Sequence, residues 1–355
     1  MKRRHLWIWT AALIGLALVA PYFLYPVFLM QGLCMALFAC AFDLLLGYVG
    51  LLSFGHAAFM GSAAYITAHV CKVWDLPPEL GILCGVAVAA ALGAVFGALA
   101  IRRQGIYFAM ITLALAQMVA FYALEAPFTG GEDGIQGVPR GHLFGMIDLS
   151  HTLTMYYFVL AMFLVGFGII ARTIHSPFGQ VIKAIRENEP RAVSLGYSVD
   201  RYKLMAFVLS AALAGLAGSL KALVFQFAAL TDVDWTTSGE VVLMTLVGGV
   251  GTSLGPIVGA FIIVAMDNYL AQMGSWVTII EGVIFVVCVL TFRRGIVGVI
   301  APYVAGARGT ARTAAPSEEQ DPVSGETSTA DGSRGREGDV GAHSPARSIS
   351  HAREN

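Results

Sequence analysis

The chain has 355 residues, of which 57% are hydrophobic and 13% charged, with a formal net charge of −1. Soluble globular proteins carry about 25% charged residues, so an ordinary water-soluble domain is excluded, and no basic block points to nucleic acid. Stretches of about twenty residues without a charge recur along the chain, each long enough to cross a bilayer core, and the fold class they define is an all-α, polytopic helical membrane protein.

In chain order, Lys2, Arg3 and Arg4 precede a first apolar run over 6–24. No A-x-A cleavage site follows and the run is too long for a signal-peptide core, so a retained span is expected. Further spans are expected over 27–46, 51–70, 80–101, 106–124, 153–171, 204–227 and 276–292. The apolar run over 241–270 is interrupted by Gly248, Gly249, Gly251, Gly255 and Pro256, which disfavour one continuous helix. A broken, hairpin-like pair is expected there, giving about eight to ten spans including broken or re-entrant helices. Residues 47–65 are similar in kind, with Gly47, Gly50, Gly55 and Gly61 around Ser53 and His56, and suggest a possible internal duplication.

Lys/Arg placement orients the chain. The basic amino terminus, Arg102–Arg103 and the segment 172–203 fall on the cytoplasmic side. The acidic stretches 126–151 and 228–240 fall outside. After Tyr303 the composition changes: residues 304–355 contain no Phe, Trp, Tyr, Leu or Met. Such a stretch cannot bury enough apolar surface to offset its ordering entropy. The expected organisation is therefore a transmembrane domain over 1–303 and a disordered cytoplasmic tail over 304–355.

Residues 172–203 are the only long charged segment between apolar runs, with six Lys/Arg and three Asp/Glu. Ser176-Pro177 reads as a helix start, with Ser as the cap and Pro in the first turn. Phe178, Val181, Ile182 and Ile185 then give one apolar face against Lys183 and Arg186. Pro190 and Gly196 delimit a second short helix over 191–195. Two readings stay open for this amphipathic pair: docking into a groove of another protein, or lying on anionic headgroups of membrane lipid.

Polar residues inside apolar runs are the translocation-path candidates, because each is costly in lipid. Ser53, Gly55 and His56 at one broken stretch, Gly249, Gly251 and Ser253 at the other, and Glu281 in the last span are singled out; Asp43, Gln117, Asp267 and Asn268 also qualify. Lys221 is expected to pair with an acidic neighbour. The small-residue faces around Ala211–Gly218 and Gly93-x-x-x-Gly97 are assigned to helix packing. No C-x-x-C or His spacing marks a metal among Cys34, Cys40, Cys71, Cys84 and Cys288, no catalytic constellation stands out, and no G-x-x-x-x-G-K-[ST] loop is present. No cofactor is expected, and energy must come from a separate ATPase or from an ion gradient.

Three stretches carry a family resemblance: SPFGQVIKAIRENEPRAVSLGYSVDRYKLMAFVLSAALAGLAGSL at 176–220, GLLSFGHAAFMG at 50–61 and LVGGVGTSLGPIVGAF at 246–261. Together they resemble ABC importer permeases for branched-chain amino acids, of the smaller M-type. Permeases for urea and short amides are close relatives in that family. The resemblance implies that residues 189–196 form the coupling helix seated in an ATP-binding subunit. Pro190, Arg191, Ala192 and Gly196 match the family pattern, and Glu187, Glu189 and Leu195 belong to the same docking surface. It further implies a second permease subunit as heterodimer partner, two ATP-binding subunits, and a periplasmic or lipid-anchored substrate-binding protein, in a bacterial inner membrane. One departure is Phe292-Arg293-Arg294-Gly295, which lacks the family's proline.

Overall fold

The computed structural model describes residues 17–143 and 147–270, with Gly15, Gly145 and scattered positions between 279 and 286. Most of the predicted first and last spans, Glu281, the motif from Phe292 to Gly295 and the tail lie outside the described residues.

The architecture is built around α1 (Pro26–Asp43), a helix apolar on every side and therefore central. It continues without a break into a wider π-turn, Leu44–Val49, which Gly50 ends in the left-handed conformation. The order then runs α2 (His56–Lys72), α3 (Pro78–Ala100), α4 (Ile106–Glu125), α5 (Thr152–His175), α6 (Pro177–Glu187), α7 (Glu189–Ser194), α8 (Val199–Phe225), α9 (Trp235–Gly248) and α10 (Gly255–Leu270). Around α1 pack α5, α8, α9 and α10, while α8 lies against α2 and α3. The small-residue faces do what their composition suggests. Gly93 sits against Ala211, Gly215 against Ala89, and Gly218 against the Met60 carbonyl.

Five helices among the described residues are long and apolar enough to cross a membrane: α1 with its π-turn, α3, α4, α5 and α8. The interrupted run folds as the expected hairpin, with α9 of 14 residues and α10 of 16 packed together. At 1.5 Å per residue these helices are about 21 and 24 Å long, short of the ~30 Å hydrocarbon core. The predicted span over 51–70 starts late, because residues 50–55 run non-helically before α2 begins at His56.

Polar groups gather at two ends. One holds α6 and α7, the π-turn, the α9–α10 turn and the link after α3, where Gly97 faces Leu204. The other holds two short antiparallel pairs, β1 (Ile135–Gln136) with β4 (Phe227–Ala228), and β2 (His142–Leu143) with β3 (Ile147–Asp148). There Arg140 donates to the Val224 carbonyl at 2.8 Å, satisfying the end of α8, and Lys72 donates to the Gln136 carbonyl at 2.6 Å.

Candidate coupling and translocation sites

The segment between α5 and α8 is a compact handle. Ser176 Oγ accepts the Gly179 N–H at 3.2 Å and Pro177 opens α6, as the sequence predicts. Asn188 Oδ1 caps α7 by accepting the Arg191 N–H at 3.0 Å, so α7 starts two residues earlier than expected. Ala192 is buried with Ile185 and Val199, which fixes α7 on α6 and on the root of α8. Lys203 Nζ donates to Glu189 Oε1 at 2.8 Å; the two side chains are 5% and 27% exposed.

The tip ends in a Schellman arrangement. The Tyr197 N–H donates to the Ala192 carbonyl at 3.2 Å and the Gly196 N–H to Val193 at 2.9 Å. Gly196 has φ +86°, where an L side chain is strained. Around it Pro190, Arg191, Val193 and Leu195 are exposed, Leu195 by 69%. Exposed apolar side chains on a braced two-helix tip suit a groove in another protein.

Ser53, Gly55 and His56 form a separate cluster deep inside the chain. Ser53 Oγ accepts the Gly55 N–H at 3.2 Å, and Thr112 Oγ1 accepts the Phe54 N–H at 3.2 Å. His56 Nε2 lies 2.9 Å from Ser210 Oγ, which donates to the Ala41 carbonyl at 2.5 Å. The hydroxyl has one proton and spends it on Ala41, so the Nε2–H must donate to Ser210. Phe42, Phe59 and Phe207 enclose the ring edge-on at centroid distances of 5.0, 5.6 and 6.1 Å. The Ala57 N–H donates to Ser238 Oγ at 2.9 Å, bringing the start of α2 onto the first turn of α9. Ser53 and His56 are wholly buried.

The second broken stretch lies at the handle end. Thr252 Oγ1 donates to the Gly249 carbonyl at 2.7 Å and accepts the Gly255 N–H at 3.1 Å, closing the α9–α10 turn. Gly251, at φ +73°, donates its N–H to Asp43 Oδ1 at 2.8 Å. A cleft of about 610 Å³ opens here, lined by Gly47, Tyr48, Lys183, Arg186, Gly251 and Ser253, with Glu187 at its edge. The structure thus brings Gly251, Ser253 and Glu187 together and leaves Ser53, Gly55 and His56 apart. Sequence reasoning placed Arg186 only on the basic face of α6, and it missed Tyr48, Ser210 and Thr112, whose only local signal is a lone polar group within an apolar run. Lys221 pairs with Asp232 at 2.5 Å, toward the opposite end.

Several long apolar helices, two broken stretches and an exposed braced handle define a multi-pass membrane permease. The family model described as branched-chain amino acid transport system / permease component matches residues 26–290, and the chain belongs to that family of ABC transporter permeases. It is 26% identical over 299 residues to the high-affinity branched-chain amino acid transport system permease protein LivM of Escherichia coli, covering 76% of this chain and 69% of the relative. It is 27% identical over 223 residues to a probable branched-chain amino acid transport permease LivM of Methanocaldococcus jannaschii, covering 57% and 60%. It is also 29% identical over 189 residues to the ribose import permease RbsC of Bacillus subtilis, covering 51% and 58%. No solved structure matches.

Proposed function

We propose that this chain is the permease of an ATP-driven importer that moves branched-chain amino acids by alternating access. The observation that carries the driven part is the handle: α7 is braced by Ala192 and by the Glu189–Lys203 pair, yet presents Pro190, Val193 and Leu195 outward. In this reading the tip, with Glu187, Glu189, Arg191 and Gly196, docks onto an ATP-binding subunit in the cytoplasm. A second permease subunit completes the path, and a substrate-binding protein delivers cargo at the opposite end. The least buried of the five long apolar helices, α4, with Met110, Met118 and Phe121 exposed, provides an apolar face for lipid or for that second subunit.

The cargo assignment rests on the LivM relative of Escherichia coli, which matches more of this chain than the RbsC relatives do. The ribose relative keeps a second reading in view, a sugar permease on the same scaffold; the family resemblance adds urea and short amides. Uptake by the reconstituted complex separates them. Labelled leucine should accumulate with ATP and be displaced by isoleucine and valine but not by ribose or urea. Accumulation of ribose or urea without leucine transport would overturn the cargo assignment.

A further inference from the structure

Besides the Glu189–Lys203 pair that holds α7 to α8, the handle grips the π-turn of α1, and there it does so through a backbone group. From α6, Arg186 Nη1 donates to the Gly47 carbonyl in the π-turn of α1. Its aliphatic stem packs against Gly50, whose φ of +84° carries the chain away from the turn. One turn earlier, Asp43 is 2% exposed and accepts the Gly251 N–H of the α9–α10 turn at 2.8 Å. Gly47 lies between these contacts, and a methyl group there would collide with both Asp43 Oδ1 and the Gly251 nitrogen. A buried carboxylate is costly unless its hydrogen bonds are well made, so this connection is an expensive feature in an otherwise apolar bundle.

We propose that Arg186 and Asp43 are positioning residues that carry the handle's displacement into the hairpin. Arg186 ties α6 to the π-turn and Asp43 ties the π-turn to Gly251, so that α6, the end of α1 and the α9–α10 turn move as one block. The cleft of about 610 Å³ beside them gives that block room to shift. The inference rests on the handle being the docking site of the ATP-binding subunit. Cutting the link leaves that subunit free to cycle while the hairpin no longer follows.

The test uses the complete importer in proteoliposomes, with substrate imported and ATP hydrolysed measured on the same vesicles. Arg186→Ala and Asp43→Ala should each lower import per ATP by about five-fold or more, the lower end of typical coupling between sites, with the ATP-binding subunit still co-purifying. Arg186→Lys, which can reach one carbonyl, should restore part of the ratio. Arg186→Gln keeps a long polar side chain at lower risk to folding and should also fall below the wild type. An unchanged ratio, or import and hydrolysis falling in parallel with the subunit bound, overturns the inference. Failure of the docking reading looks different: Gly196→Leu would then leave import unaffected, whatever the Arg186 variants do.

Discussion

At the scale of single residues, local chemistry was readable and long-range chemistry was not. The Ser176 cap with Pro177 behind it needs only neighbours in sequence, and it is present. His56 stood out as a polar group at a broken stretch, but its partner Ser210 is 154 residues away and carries no signal of its own. Ser210→Ala should leave the buried His56 Nε2–H without its partner, costing about 1–3 kcal/mol. Thermal unfolding of the purified protein should show that loss, whereas an unchanged midpoint would remove the buried relay. Gly196 offers the opposite case. Nothing lies within 4 Å of a Cβ placed there, so Gly196→Leu meets only the strain of the left-handed backbone, about 1–2 kcal/mol. ATP-dependent uptake should fall far more steeply than that loss of stability, read from the unfolding midpoint, accounts for.

Whole elements were legible where their boundaries are set locally. The glycines and Pro256 in the run over 241–270 announced two short helices, and α9 and α10 are those helices. Their packing is close: Gly248 meets the Gly255 carbonyl and Gly259 meets the Met244 carbonyl with no room for a methyl group. Gly259→Leu should therefore wedge the hairpin open and cost about 1–3 kcal/mol or more, read as a lower unfolding midpoint in detergent. The π-turn at the end of α1 was not legible. It is shaped by Arg186 and Gly251, which reach Gly47 and Asp43 from distant parts of the chain, and the same turn displaces the start of α2 to His56. The handle's internal brace is testable at this scale too. Glu189→Ala leaves Lys203, 5% exposed, without its carboxylate, and should raise hydrogen exchange across α7 more than across α6.

For the molecule as a whole, composition established a helical membrane protein, and the five long apolar helices agree. The full span count was harder to read, because α2, α9 and α10 are each too short for a standard crossing and their depth is set by packing on α1 and α8. Arg102 and Arg103 follow α3 at the handle end, the end that the basic-residue pattern expects to be cytoplasmic. A cysteine introduced at Ser194, which is exposed on α7, should react with impermeant maleimide only in inside-out vesicles. What Leu195 touches decides most directly whether the permease is driven through its handle. Leu195→Cys, in native membranes with a short bifunctional reagent, is predicted to cross-link to an ATP-binding subunit in yields that change with nucleotide. Cross-linking that reaches no such subunit, with or without ATP, would contradict the idea that this permease is driven through its handle.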